Sequence, residues 1–138
     1  MPFLATPNAT MYYDIFEPDF TTLPFPSQMH TVLLIHGFGG SPESDFGGQL
    51  AALRSHFRVI APHLHGYGRS TQRSRYAPSF YRDDAADLAT LLDTLDIDKV
   101  LVLGFTLARK TPLTAGLKNW PLSLRHDPRS SVSETIKR

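Results

Sequence analysis

The chain has 138 residues, the length of one domain rather than two, and a chain of this size buries about 68–70% of its unfolded surface. Hydrophobic residues make up 41% and charged residues 20%, a globular composition that excludes wholesale disorder. There is no cysteine, which excludes a disulfide scaffold, a thiol nucleophile and thiolate metal ligands. The formal net charge of +1 hides a split: seven Lys+Arg against eleven Asp+Glu up to Ala108, then seven against two from Arg109 onward. The basic residues of the second part are dispersed among Ser, Thr and Pro with one aromatic, Trp120. That pattern predicts a solvated tail, not a nucleic-acid-binding surface. The N-terminal stretch lacks a basic flank and a long apolar core, so neither a signal peptide nor a membrane span is expected. A cytoplasmic location is the default expectation.

Taken in order, Thr10–Pro18 is rich in aromatic and β-branched residues and predicts a strand. Phe20–Met29, with Pro24 and Pro26, predicts a loop. The unbroken apolar run His30–His36 suits a strand covered on both faces, and it ends in Gly37-Phe38-Gly39-Gly40, where backbone can take positive φ and approach a ligand closely. Ser41-Pro42-Glu43 has the order of a helix start. Gly47-Gly48 weakens it by about 1 kcal/mol each relative to Ala, so the firm helix is expected at Gln49–His56.

Phe57–Pro62 predicts a strand and His63–Ser70 a Gly-containing loop. Ser79 is placed to cap a second helix, with Asp83 and Asp84 at its positive end. Ala85, Leu88, Leu91, Leu92 and Leu95 make one apolar stripe, with Asp87, Asp93 and Asp96 largely off it. Lys99–Gly104 is a further buried strand. Alternating strands and helices predict an α/β fold with a mostly parallel sheet and flanking helices, whose ligands sit at the carboxyl ends of the strands.

Four segments carry a resemblance. They are His36–Gly40; Gly66-Tyr67-Gly68-Arg69-Ser70; Asp83 and Asp84 with Leu88, Leu91 and Leu92; and Ile97–Gly104. In order and spacing, residues 10–107 resemble the N-terminal half of an α/β-hydrolase of the AB hydrolase-1 type. The resemblance implies a partial α/β-hydrolase fold over residues 1–108, followed by an irregular or disordered basic tail at 109–138. It implies a parent reaction that hydrolyses an ester, a lactone or an activated C–C bond of a small molecule through an acyl-enzyme. No cofactor, metal, nucleic acid or membrane partner is implied. His36, Gly37, Gly39 and Gly40 are carried over as the binding turn, and the backbone N–H groups of Phe38 and Leu107 as the oxyanion hole.

The family's nucleophile elbow reads Gly-x-Ser-x-Gly. Gly104 matches its first Gly, Thr106 stands at the nucleophile position and Ala108 at the last Gly. A Thr hydroxyl belongs to a nucleophilic class, but its β-branch restricts χ1 in a strained turn, so Thr106 is read as filling the position without reacting. A carboxylate there would have pointed to epoxide hydrolysis or dehalogenation. The triad follows in the order Ser, acid, His. Beyond Thr106 stand only His126, Asp127 and Glu134, and no acid precedes His126. The resemblance stops at Phe105 or Thr106, and the tail is expected to be non-homologous sequence, as a frameshift or a translated intron produces. A cDNA encoding Gly-Phe-Ser-x-Gly there supports that expectation, and one encoding Arg109–Arg138 removes it. With the triad incomplete, the chain is expected to be inactive. The alternative is a non-catalytic binding or interaction module that self-associates through the open edge beyond Val100–Leu103.

Other chemistry finds less support. His63-x-His65 offers two metal ligands but no spaced third one, with His36, His30 or an acid as the only sources. The family more often has Asp at the position of His63 and Arg at that of His65. Arg69 and Ser70 are expected to hold the loop floor. No Gly-x-x-x-x-Gly-Lys phosphate loop is present, and Gly37-x-Gly39-Gly40 lacks dinucleotide-binding spacing.

Overall fold

A computed structural model of the protein describes residues 2–18 and 30–104, together with the backbone of 123–126 and 133–137. Its elements are β1 (Phe3–Ala5), β2 (Thr10–Phe16), β3 (Thr31–Ile35), α1 (Pro42–His56), β4 (Arg58–Pro62), α2 (Phe80–Thr94), β5 (Lys99–Gly104), β6 (Ser123–His126) and β7 (Ser133–Lys137). They make one sheet in the order β1-β2-β4-β3-β5-β7-β6. Only β3 pairs in parallel, with β4 on one side and β5 on the other. The remaining pairs are antiparallel, so the sheet is mixed, and the expected parallel character belongs to its centre.

The central strands are apolar on both faces because a helix covers each. Leu33, Ile35, Ile60, Val100 and Val102 pack with Leu88, Leu91 and Leu92 of α2. Val32, Leu34, Val59 and Ala61 pack with Phe46 of α1 on the other face. Neighbouring residues of β3 therefore serve different helices, as the two-residue strand period requires.

Several elements depart from expectation. α1 runs unbroken through Gly47 and Gly48. Its first turn is fixed by a reciprocal cap: Ser41 Oγ accepts the Ser44 N–H at 3.1 Å, and Ser44 Oγ accepts the Ser41 N–H at 2.9 Å. Buried Phe46 anchors that turn, and the two glycines lie on the exposed side, where their cost is propensity alone. Ser79 precedes α2, yet its side chain makes no capping bond. Asp84 and Asp87 are buried rather than solvated. Asp87 Oδ1 accepts from the Asn8 backbone N–H at 3.0 Å and from Asn8 Nδ2 at 3.2 Å, which fastens the β1–β2 turn to α2. Strand β1, absent from the sequence reading, is a short addition paired only to β2.

Within 109–138 the described residues are two strands. β7 lies along β5 with Leu101 opposite Thr135, and β6 lies along β7. The β5 edge left open in the sequence reading is therefore paired, because a row of free N–H and C=O groups is satisfied by a further strand. Thr106 and Leu107 lie outside the described residues. Among the described residues no helix is long and apolar enough to cross a membrane.

Candidate active site

The site follows from strand order. β3 is central, its following helix leads to β4, and the helix after β4 leads back across β3 to β5. The two successive connections run in opposite directions across the sheet and their helices cover opposite faces, which opens a crevice at the carboxyl ends of β3 and β5. Ile35 stands opposite Gly104, so the turn beginning at His36 and the chain leaving Gly104 depart from the same edge of adjacent strands. β4 ends beside them, which brings the His63–Ser70 loop to that edge as well.

The His36–Gly40 turn is held from three directions. His36 is buried; its Nδ1 donates to the Gly37 carbonyl at 2.9 Å, and its Nε2 accepts the Leu64 N–H at 3.0 Å. Those roles fix a neutral imidazole, in accord with burial, which holds its pKa below the usual histidine value. Gly37 N–H donates to Asp45 Oδ2 at 2.6 Å, and Gly40 N–H closes the turn on the Gly37 carbonyl at 3.1 Å. Gly39 has φ +74°, which a side chain would strain. A Cβ at Gly40 would stand 2.5 Å from Asp45 Oδ2, so only glycine lets that carboxylate in. Among the described residues no acceptor is paired with the Phe38 N–H, and the Phe38 side chain is exposed.

The second loop is equally bound. Arg69 N–H donates to His63 Nδ1 at 3.1 Å, and Arg69 Nη1 donates to the Tyr12 hydroxyl at 2.9 Å. Ser70 Oγ donates to the His63 carbonyl and accepts the Tyr12 N–H at 2.8 Å. Arg69 and Ser70 thus hold the loop floor, as expected. Tyr67 joins the two loops, its ring 5.0 Å from that of His36. Burial, with hydrogen bonding to Tyr76, pushes the Tyr67 hydroxyl well above the usual tyrosine value.

The histidine pair does not assemble as anticipated. His63 meets Asp14 and Glu43, their ligand atoms lying within 4.8 Å of one another. His65, His30 and His36 are not part of that group; His36 is engaged at both nitrogens, and His30 stands at the opposite end of β3. The donor set does not suit a metal. Because His63 Nδ1 accepts from an amide, the neutral ring carries its proton on Nε2, the atom 3.6 Å from Glu43 Oε1. Arg69 adds a cation beside Tyr12, whose hydroxyl donates to Asp14 at 2.9 Å.

The sequence reading missed Asp45 and Tyr67. An acid four residues beyond a helix cap, after a Gly-rich turn, was the available signal for Asp45; Tyr67 stood inside the quoted Gly66–Ser70 segment but was given no role. In the C-terminal strands, His126 stands opposite Glu134, while Asp127 lies outside the described residues.

This architecture defines an α/β protein whose Gly-rich turn, second loop and central-strand exit meet at one sheet edge. Residues 30–107 match the family described as alpha/beta hydrolase fold. The serine hydrolase BPHL of Homo sapiens is 41% identical over 91 residues, covering 64% of this chain and 31% of that protein. A thermophilic esterase from Thermogutta terrifontis superposes with a TM-score of 0.64 at 24% identity, over 87% of this chain and 40% of that one. The enol-lactonase from Burkholderia xenovorans LB400 gives 0.64 at 23% identity, over 84% and 40%. At those identities the two structures speak for the fold. The chain belongs to the α/β-hydrolase family, and it spans under a third of the length of the curated relatives it matches.

Proposed function

We propose that the chain carries the oxyanion half of a hydrolase site and, as it stands, does not turn over substrate. The parent reaction is hydrolysis of a small ester, lactone or activated C–C bond. A nucleophile at position 106 attacks the carbonyl, and the developing oxyanion is held by the N–H groups of Phe38 and Leu107. Each such donor contributes about 3–4 kcal/mol to the transition state. A His takes the nucleophile's proton and passes it to the leaving group, and water then releases the acyl group.

The observation that carries this reading is the register of Ile35 against Gly104, from which the His36–Gly40 turn and the chain toward position 106 leave one edge. His36, Gly37, Gly39 and Gly40 fix the turn that presents the Phe38 N–H. The inactivity rests on the sequence: Thr106 occupies the nucleophile position, and residues 107–125 contain neither an acid nor a histidine. The test is p-nitrophenyl acetate hydrolysis by the native chain and by Thr106→Ala. Both are expected at the buffer rate, and turnover that disappears with Thr106→Ala overturns the proposal.

The second reading, a non-catalytic binding module, draws support from β7, which pairs the β5 edge that half a sheet leaves open. Self-association then has to use the outer strands β1 or β6. Size-exclusion chromatography separates the cases: a folded monomer or defined dimer supports a module, and soluble aggregate opposes it.

A further inference from the structure

Three large hydrophobic side chains are exposed among the described residues, Phe3, Phe38 and Tyr76. Two of them meet: Phe38, 64% exposed, and Tyr76, 43% exposed, have ring centroids 5.7 Å apart. Single exposed aromatics are ordinary, but these two are pinned. Phe38 also contacts Tyr67 at 6.1 Å, and Tyr76 stands edge-on to Phe80 at 5.3 Å. The Arg73 guanidinium lies over Tyr76 at 5.1 Å and over Phe80 at 5.3 Å, and its charge is matched by Asp84.

Resting on the hydrolase reading, we propose that Phe38 and Tyr76 form the aromatic wall of the substrate pocket, which selects uncharged substrates bearing an aromatic ring close to the reacting carbonyl. Three features choose this occupant. The wall is continuous with the candidate oxyanion turn, since the Phe38 ring and the Phe38 N–H belong to one residue. A ring seated on the wall therefore rests on the same residue that supplies that donor. The pairing of Arg73 with Asp84 matches the one charge that packs against the rings. The rings are also ordered before a ligand arrives, which removes the entropy cost of fixing them on binding. Ring pairs at centroid distances of 4.5–7 Å gain attraction beyond apolar burial, which favours an aromatic occupant over an aliphatic one of equal size.

The test uses phenylacetamide, a stand-in that resists hydrolysis, against cyclohexylacetamide, with binding to the full chain followed by ligand-observed NMR titration. The aromatic amide is expected to bind about three- to tenfold more tightly. Tyr76→Leu, which keeps apolar bulk without a ring, is expected to erase the preference, and Tyr76→Phe to keep it, with circular dichroism verifying the fold of each. Equal affinity for the two amides, or a preference that survives Tyr76→Leu, overturns the proposal. So does a dimer in sedimentation that Tyr76→Leu dissociates, because a second copy then covers the wall. Esterase turnover that disappears with Thr106→Ala counts only against the proposed function and leaves the amide titration intact.

Discussion

His36 Nε2 accepts the Leu64 N–H at 3.0 Å across the gap between the β3 and β4 exits, so one buried ring ties the Gly-rich turn to the neighbouring loop. His36→Phe keeps the ring and its contact with Tyr67 but leaves the Leu64 N–H unpaired, an expected loss of about 1–3 kcal/mol. The loss depends on pH. Burial lowers the folded pKa of His36 below its ordinary 6.5, so the unfolded chain binds the proton more readily. The stability due to neutral His36 is complete above that value and falls away as the pH drops below it. In urea titrations, the difference between native protein and His36→Phe is expected to shrink under acidification.

Gly40 and Asp45 are matched by shape. Gly40→Ala drives a Cβ into the Asp45 carboxylate, and Asp45→Ala removes the charged acceptor of the Gly37 N–H. Each single variant is expected to lose about 1–3 kcal/mol. With Asp45→Ala in place, the Gly40 Cβ finds room, so the double variant is expected to lose less than the sum of the two. Thermal melts of the four proteins measure that coupling, and strict additivity contradicts it.

The Arg73–Asp84 pair is buried on both sides. Burial pushes the Asp84 carboxyl up to about 6 from an ordinary 3.8, while Arg73 pulls the other way. A raised folded pKa means that protonation favours the fold, so this contribution is complete below the ordinary value and is lost as the pH rises through about 6. Arg73→Met leaves an unpaired buried carboxylate and is expected to cost about 3–5 kcal/mol at neutral pH. The cost shrinks in acid, where Asp84 is neutral. Unfolding measured on both sides of the Asp84 midpoint tests this.

The Asp14–Glu43–His63 group is expected to refuse Zn²⁺. Coordination through His63 Nε2 would place a proton on Nδ1, facing the Arg69 N–H. Melting temperature is therefore expected to be the same with Zn²⁺ and with chelator, and a Zn²⁺-dependent rise that Glu43→Gln abolishes would refute the tautomer argument.

Much of the centre was legible in the chain. The runs Val32–Ile35, Val59–Ala61 and Val100–Leu103 are apolar because both faces of those strands are covered, and the Leu88–Leu91–Leu92 stripe marks the helix that covers one face. The turn at Gly39 was legible too, since positive φ selects glycine.

What could not be read depended on partners distant in sequence. α1 survives Gly47-Gly48 because Phe46 is buried against the sheet, a packing gain that propensity omits. Asp87 is tolerated inside because Asn8, 79 residues away, donates to it. His63 was read with His65, its neighbour in sequence, but the fold hands it to Asp14 and Glu43. Local sequence determined strands β2 to β5, the second helix and the turn, because those follow from periodicity and backbone freedom. The tertiary structure alone decided which loops share an edge and which carboxylates lie buried, because strand register and long-range hydrogen bonds leave no local periodic signal.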